Sequence, residues 1–435
     1  MKLSLCCFLV WAQVLSASNI LNTPSVDATL FRVTQFATGL PLPSSAIKAS
    51  DGSLLVLLSP GYGTSQVVRF QDLNSDGVAD GAPTILYSNA NAGPATQIRQ
   101  AGKLYYIAEF GNTAITALAP GVSPEDPLQA SGSLKFEYAP DYAHPTPGIA
   151  VRPTPDKPGS IDLIFNVGSQ YNAQASTSPV TVSGFGLAPT QLQGDSLYMI
   201  TIDETGDVPI ASNLRQVAGG IRNVYGMAFD PISGDLYFAD NAIDEDNVTN
   251  FSEPYQADEL NRIPAAKLGT EVLQFGFPNC YPEYRSDTLI ETNPGACNGV
   301  TQSLINFQPV SGFRSEGPTE IAFSPALFPA LYRNGIFVGF SGGTGPEGTN
   351  NQNPVVFANS TFTELIHFIE SGTLSHNPVG IYSTADSLFI LDWGGGSIYQ
   401  ITALADVPEP AVWLLVSSAL CFFGLRKRFG PKVSA

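Results

Sequence analysis

The chain has 435 residues, including 41 glycines, 34 prolines, 26 phenylalanines and 16 tyrosines, and 13% of its residues are charged. This turn-rich, aromatic composition disfavours coiled coils and helical bundles, and a hydrophobic content of 43% is enough to bury a large core. The net charge of −18 argues against a nucleic-acid partner, because nucleic-acid binding depends on clustered Lys and Arg.

The first 18 residues have the features of a secretory signal peptide. Met1-Lys2 is followed by an apolar run from Leu3 to Val14 and by small residues around Ala17 and Ser18. We therefore predict export from the cytoplasm, with a signal peptide over residues 1–18 and a mature body over residues 19–406. A buried first helix is the alternative.

One pattern recurs along the body: a turn with Gly or Pro, an apolar strand, a short turn and a second, aromatic-rich strand. The six copies begin at Gly39, Gly93, His144, Gly220, Gly317 and His376. Short strands that recur in this way are typical of a β-propeller, in which each repeat is one blade. We predict an all-β, six-bladed β-propeller. Long insertions at 170–195, 241–258 and 279–312 are expected to form loops on a face of the disc, where binding sites are usually built.

An acidic segment between the first two copies has the spacing of a calcium-binding loop. The ligands that this spacing offers are the side chains of Asp72, Asn74, Asp76 and Asp80 and the main-chain carbonyl of Val78. Gly77 allows the sharp turn that such a loop needs, and calcium prefers six to eight oxygen ligands. Pro83 stands where an EF-hand has its last Glu, so the segment is a shortened loop. A hairpin turn rich in Asp and Asn is the alternative.

Two cysteines remain in the mature body. Cys6 and Cys7 belong to the signal peptide and Cys421 to the C-terminal tail, which leaves Cys280 and Cys297. Thiols tend to pair outside the cytoplasm, so we predict a disulfide between these two residues. A metal-binding pair is less favoured, because none of the three histidines is near them in sequence.

The C-terminal tail has three parts. Pro408-Glu409-Pro410 precedes an apolar stretch from Ala411 to Leu425 and the basic cluster Arg426-Lys427-Arg428. The tail, over residues 407–430, resembles the PEP-CTERM sorting signal of Gram-negative bacteria. The resemblance implies recognition of Pro408-Glu409-Pro410 by an exosortase, contact with the membrane only through this tail, and delivery to the cell surface or extracellular matrix. A plain membrane anchor is the alternative.

The fourth and fifth copies carry a more specific likeness. The run from Gly220 through Arg222, Asn223 and Gly226 to Asp240, then Asp258-Glu259-Leu-Asn-Arg-Ile263, and the run from Gly317 to Gly335 resemble the glucose/sorbosone dehydrogenase family. The likeness spans roughly residues 35–402. Members of this family are six-bladed propellers, and some are sugar or aldose dehydrogenases that use pyrroloquinoline quinone (PQQ) and calcium.

The resemblance implies roles for individual residues. His144 matches a histidine that takes a proton from the sugar C1 hydroxyl while hydride passes to the quinone. Arg222 and Asn223 match a pair that contacts cofactor or substrate, Gln97 is a further cofactor contact by its position, and Asp258 and Glu259 match the calcium region. From the residues alone, His144 beside a proline is also typical of a turn, and Arg222 is also typical of a side chain bonded to loop carbonyls.

Two functional hypotheses follow. The first is a surface-sorted PQQ-dependent sugar or aldose dehydrogenase. The second is a non-catalytic propeller that binds a matrix polysaccharide or protein, because a fold does not fix a function. The retained site motifs favour the first hypothesis, and the small number of basic residues at the blade entries favours the second.

Overall fold

The computed structural model describes residues 26–404, except for 61–62, 146, 244–255, 284–287, 308–316, 342–353 and 370–377. The predicted signal peptide and the sorting motif Pro408-Glu409-Pro410 lie outside the described residues. No helix in the described part of the chain is long and apolar enough to cross a membrane.

The described chain forms six mainly antiparallel blade sheets and one small two-stranded sheet, and the six blades confirm the predicted all-β, six-bladed propeller. A first strand, β1 (Phe31–Ala37), precedes the blades. Blade 1 contains β2 (Pro43–Lys48), β3 (Leu54–Leu58), β4 (Ser65–Phe70) and β5 (Thr84–Asn89). Blade 2 contains β6 (Ala95–Gln100), β7 (Tyr105–Glu109), β8 (Ala114–Ala119) and β9 (Gln129–Glu137). Blade 3 contains β10 (Ile149–Pro153), β11 (Ser160–Val167), β14 (Ser196–Asp203) and β15 (Ile210–Gly219). Between β11 and β14 the chain forms a hairpin of β12 (Val180–Gly184) and β13 (Leu187–Leu192).

The second half of the chain repeats this arrangement. Blade 4 contains β16 (Val224–Phe229), β17 (Leu236–Asp240), β18 (Asp258–Ile263) and the outer strand β22 (Ile305–Phe307). Three short strands lie between β18 and β22 in the chain: β19 (Leu273–Gln274), β20 (Cys280–Pro282) and β21 (Leu289–Glu291). Blade 5 contains β23 (Pro318–Phe323), a 3-10 turn over Ala330–Tyr332, β24 (Ile336–Phe340), β25 (Val355–Ala358) and β26 (Leu365–Ile369). Blade 6 contains β27 (Pro378–Ser383), β28 (Ser387–Asp392) and β29 (Ser397–Ala403).

The hydrophobic core is divided among the six interfaces between neighbouring blades. Strand β3 shows how the sequence fills two interfaces at once. Its side chains alternate between faces, so Leu54 and Val56 pack toward blade 6 while Leu55 and Leu57 pack toward blade 2. The strand is therefore a continuous apolar run, because both of its faces are buried.

The ring is closed by a strand from the other end of the chain. β1 pairs antiparallel with β29, with Phe31 opposite Ala403 and Val33 opposite Ile401. The sixth repeat thus supplies only three strands of its own sheet. Next to this pair, the amide of Leu404 donates to the carbonyl of Leu30 at 2.8 Å, so the first and last described strands close the ring side by side.

The insertions add structure to existing blades. The hairpin β12–β13, from the 170–195 insertion, extends the sheet of blade 2, with β12 pairing with β9. The insertion at 279–312 contains the two-stranded sheet β20–β21 and the outer strand of blade 4, β22. Neither insertion is only a loop, and both lie beside the segments that enter blades 3 and 4.

Candidate functional site

His144 lies in the loop that enters blade 3, and its ring orientation is set by Ser169. Nδ1 lies 3.0 Å from the carbonyl oxygen of Ser169 and 2.8 Å from its Oγ. A carbonyl only accepts, and the Ser169 hydroxyl already donates to the carbonyl of Tyr171 at 2.8 Å. Both contacts therefore require a proton on Nδ1, so in the neutral ring Nε2 is the basic nitrogen.

Arg222 and Asn223 lie in the loop that enters blade 4, next to the histidine. The amide of Ser169 donates to the carbonyl of Arg222 at 2.8 Å, so one serine links the entries of blades 3 and 4. The amides of Arg222 and Asn223 both donate to Asp240, at distances of 2.7–3.1 Å. Ser169 and Asp240 therefore bring together three of the predicted site residues, namely His144, Arg222 and Asn223.

The Arg222 guanidinium is buried against protein oxygens. Nε donates to the carbonyl of Asn172 at 3.0 Å, Nη2 to the Oδ1 of Asn172 at 2.6 Å, and Nη1 to the carbonyl of Asn241 at 3.4 Å. The side chain is only 1% exposed. Arg222 thus holds the loop of Asn172, which comes from the 170–195 insertion, against the entry of blade 4.

An acidic pair lies behind these loops. Asp240 and Glu259 are directly opposite each other on β17 and β18, and both are buried. Burial raises the pKa of Asp240 to about 6 and that of Glu259 to about 8; the charge of Asp240 adds to the second shift. Asp258 precedes Glu259 on the strand, and its Oδ1 accepts the amide of Ala242 at 2.8 Å. Successive side chains of a strand project to opposite faces of the sheet, so the side chain of Glu259 shares a face with Asp240 and that of Asp258 projects to the other face.

Three asparagine side chains around this pair have a buried oxygen without a hydrogen-bond partner. These are Asn223, Asn241 and Asn261, each through Oδ1. Asn261 also donates through Nδ2 to Glu259 at 3.0 Å. Buried carbonyl-type oxygens are costly to leave unpaired, and together with carboxylates they are the hard ligands that calcium prefers. No group of three or more His, Cys, Asp or Glu side chains suited to a metal occurs among the residues that the structure describes.

Gln97 lies on the axis of the propeller, where it joins four blades. Its Nε2 donates to the carbonyl of Tyr225 at 2.6 Å and to Glu320 at 3.4 Å, and its Oε1 accepts the amide of Ile149 at 2.6 Å. Arg99, on the same strand, forms an ion pair with Glu320 at 2.7 Å. Gln97 therefore connects protein groups to one another, and its predicted contact with a cofactor stays a prediction.

The predicted calcium loop lies in the turn between β4 and β5, on the rim of blade 1. Its carboxylates accept backbone amides: Asp72 those of Asp76 and Gly77, Asp76 that of Val78, and Asp80 that of Leu73. These bonds make the turn that the sequence pattern indicates. Calcium binding by Asp72, Asn74, Asp76, Val78 and Asp80 stays a prediction.

The predicted disulfide is confirmed. Cys280 and Cys297 are joined, and the bond ties the hairpin β20–β21 to the segment that follows it. The same region contacts the site, because the amide of Phe277 donates to the carbonyl of Gly220 at 2.9 Å. The insertion is thereby fixed beside the entry of blade 4.

Sequence reasoning missed the residues that hold the site together, Ser169 and Asn172. Ser169 follows a glycine at the end of β11, and Asn172 lies in an insertion with no repeat pattern. Gly168 gives one local signal: a Cβ there would lie 2.7 Å from the Cβ of His144 and 3.4 Å from the carbonyl of Arg222, so glycine permits the close approach. The sequence shows the glycine, but its two neighbours become visible only in the structure.

Comparison with known proteins identifies the fold. No protein-family model and no curated protein matches the chain. Among solved structures it is similar to the calcium structure of a Trichoderma reesei Carbohydrate-Active Enzymes Family AA12 protein, at 16% identity and a TM-score of 0.60 over 89% of this chain and 100% of that one. It is similar to the holo form of the pyranose dehydrogenase PQQ domain from Coprinopsis cinerea, at 15% identity and a TM-score of 0.58 over 88% and 97%. A glucose dehydrogenase aligns at 16% identity and a TM-score of 0.53 over 86% and 100%.

Proposed function

We propose that the protein is a dehydrogenase of sugars or aldoses that uses PQQ and calcium and acts outside the cytoplasm. The observation that carries the proposal is the pair of contacts from Nδ1 of His144 to the carbonyl and hydroxyl of Ser169, which place the proton on Nδ1 and make Nε2 the basic nitrogen. Support also comes from solved structures of the same fold, among them a pyranose dehydrogenase PQQ domain and a glucose dehydrogenase.

The chemistry assigned to His144 is general-base catalysis. A neutral imidazole takes the proton of a sugar hydroxyl at Nε2, and the carbonyl and hydroxyl of Ser169 stabilise the positive charge that this creates on the ring. PQQ, when bound, supplies the two-electron acceptor for the hydride of the same carbon. The protein's task is therefore to hold the hydroxyl near Nε2 and to keep the ring from turning.

The buried groups of the site suit a hard cation and polar cofactor atoms. Asn223 has an unpartnered Oδ1, and Asn241 and Asn261 offer two more such oxygens near the carboxylates of Asp240 and Glu259. Calcium bound to the oxygens of Asn241 and Asn261 and to the two carboxylates would relieve the repulsion between those carboxylates. Asn223 would hold a cofactor or sugar hydroxyl, and Arg222 would contribute its positive charge beside one of the carboxylates of PQQ.

Location and sorting complete the proposal. We infer that residues 1–18 direct export and that an exosortase recognises Pro408-Glu409-Pro410, which would place the body at the surface of a Gram-negative bacterium. Sugars of the medium or of the extracellular matrix would then be the accessible substrates.

One observation favours the second function, a non-catalytic disc that binds matrix polysaccharide or protein. The guanidinium of Arg222 is committed to oxygens of Asn172 and Asn241. PQQ carries three carboxylates and needs cationic partners. A guanidinium that already donates to protein oxygens has fewer hydrogen bonds to offer one of these carboxylates. Binding of PQQ is therefore the measurement that separates the two functions.

The test is titration of PQQ into the purified protein with calcium present, followed by addition of aldoses while the quinone spectrum is recorded. We expect saturable binding and sugar-dependent reduction. His144→Ala should abolish reduction and leave PQQ binding in place, because the histidine acts on the sugar hydroxyl. His367→Ala is the matched control, since His367 lies exposed on β26 of blade 5.

The outcomes separate the functions. Reduction that survives in His144→Ala would refute the assigned base. Absence of PQQ binding at high micromolar concentration would refute the dehydrogenase and leave the polysaccharide- or protein-binding disc.

A further inference from the structure

A second polar cavity lies between blades 1 and 2, apart from the candidate site at the entries of blades 3 and 4. It has a volume of about 440 Å³. The outer strand β5 contributes Tyr87 and Asn89, and blade 2 contributes Glu109, Thr116 and Lys135. None of these residues takes part in the proposed dehydrogenase chemistry.

Glu109 is the central group of the cavity. The residue is only 1% exposed, and it forms no ion pair with any residue that the structure describes. Its Oε2 accepts a short bond of 2.7 Å from the Thr116 hydroxyl. Its Oε1 accepts two long bonds, 3.5 Å from the Tyr87 hydroxyl and 3.4 Å from Nδ2 of Asn89. The side chain of Asn112, which also lines the cavity, is a further donor to this carboxylate. The two bonds to Oε1 are weak at these lengths, so Oε1 can accept a stronger bond from a ligand hydroxyl.

The groups of the cavity match a polyhydroxylated ligand. Amides and hydroxyls both donate and accept, as sugar hydroxyls do, and a buried carboxylate is a strong acceptor for a hydroxyl donor. The aromatic ring of Tyr87 adds an apolar surface. The cavity volume is within the range of small-molecule sites.

The same groups argue against a cation. Tyr87 and Asn89 direct donors at Glu109, whereas a cation needs converging acceptors. Lys135 lines the cavity as well, and its positive charge disfavours a second cation.

We propose that this cavity is a saccharide-binding site, in which Oε1 of Glu109 accepts a sugar hydroxyl and Asn89 and Tyr87 bind neighbouring hydroxyls. The site is independent of PQQ and of His144. It would hold a neutral glycan on the rim of the disc whether or not the protein oxidises sugars.

The test uses neutral trisaccharides of glucose, galactose, mannose and N-acetylglucosamine, added to the purified protein without PQQ and in the presence of EDTA. Binding is measured by calorimetry and by saturation-transfer NMR. We expect at least one trisaccharide to bind at concentrations up to about 10 mM, the range of weak affinities. Glu109→Gln should weaken this binding at least about tenfold, the effect of losing a hydrogen bond to a charged group.

Two further variants separate a binding role from a folding role. Tyr87→Phe keeps the ring and removes the hydroxyl, so it should weaken binding while the unfolding transition stays in place. Glu364→Gln, an exposed carboxylate on blade 5, is the control and should bind like the unaltered protein. The proposal is overturned if no trisaccharide binds, if Glu109→Gln and Tyr87→Phe bind as tightly as the unaltered protein, or if calcium alone binds in a manner that depends on Glu109.

Discussion

The ion pair between Arg99 and Glu320 joins blade 2 to blade 5 across the propeller axis, and we expect its loss to destabilise the whole ring. Both carboxylate oxygens of Glu320 lie 2.7 Å from Nη2 of Arg99. Burial raises the pKa of Glu320, and the charge of Arg99 opposes that shift. The perturbation is Glu320→Gln, which keeps the shape of the side chain and removes its charge.

The size of the expected loss in stability depends on the hydrogen bonds and the solvent exposure that Arg99 retains in the variant. Removing one partner of a buried ion pair costs about 3–5 kcal/mol, because the other charge stays buried. The Arg99 side chain is 17% exposed, and Nη1 still donates to the Ser45 hydroxyl and the Ile98 carbonyl. We therefore expect the low end, a loss of about 3 kcal/mol in the free energy of unfolding.

Urea unfolding, followed by circular dichroism and by the fluorescence of Trp393, measures this loss. Glu364→Gln is the control and should shift the free energy of unfolding by less than about 0.5 kcal/mol, as exposed substitutions do. The double variant Arg99→Met/Glu320→Leu should recover most of the loss, since an apolar pair leaves no charge unpaired. A cost below about 1 kcal/mol for Glu320→Gln, or a double variant less stable than the single one, would refute the reasoning.

Three more predictions concern the site and its support. Reduction of the Cys280–Cys297 bond, which closes a loop with a sequence separation of 17, should lower the free energy of unfolding by about 3 kcal/mol, as measured by urea unfolding with and without a reductant; an unchanged midpoint would contradict it. Ser169→Ala should lower the rate of sugar oxidation about fivefold, the worth of one hydrogen bond, and move the acid limb of the pH–rate profile to lower pH, because the imidazolium loses an acceptor; an unmoved limb would mean that the serine only supports the loop. The pKa values of Asp240 and Glu259 are raised in the folded protein, so protonation of these groups stabilises the metal-free fold. This stabilisation is complete below about pH 4 and is lost as the pH rises through about 6 for Asp240 and about 8 for Glu259. In thermal unfolding with EDTA, stability should therefore fall over that range, and added calcium should raise the transition temperature more at pH 8.5 than at pH 5; an equal effect at both pH values would place calcium elsewhere.

The blades were predictable because their signals are local. In the sequence, a Gly or Pro precedes or opens each inner strand, and a run such as Leu54–Leu58 has the continuous apolar pattern of a strand buried on both faces. The pairing of β1 with β29 gives no such signal, because the two strands are more than 350 residues apart and nothing in either names its partner. The hairpin β12–β13 is similar: its strands are visible in the sequence, but its attachment to blade 2 is set by tertiary packing.

The sequence allowed the site residues at the starts of the blades to be predicted, but not the hydrogen bonds that connect them. His144 and Arg222 each open a repeat, so equivalent positions in neighbouring blades bring them to the same end of the disc. The contacts that fix them come from Ser169 and Asn172, which no repeat marks. The adjacent pair Asp258-Glu259 suggested two ligands side by side, whereas the pleat of the strand directs Glu259 toward Asp240.

The meeting of Leu30 and Leu404 has a consequence for how the protein is made. β1, the first of the described strands, pairs with β29, the last of them, so the ring stays open until β29 has been synthesised. Until then, the apolar face of the first blade stays exposed. We expect a circular permutant, with the old ends joined by a short Gly-Ser linker and new ends in the turn between β4 and β5, to fold into the same disc. Only the moment of closure would differ.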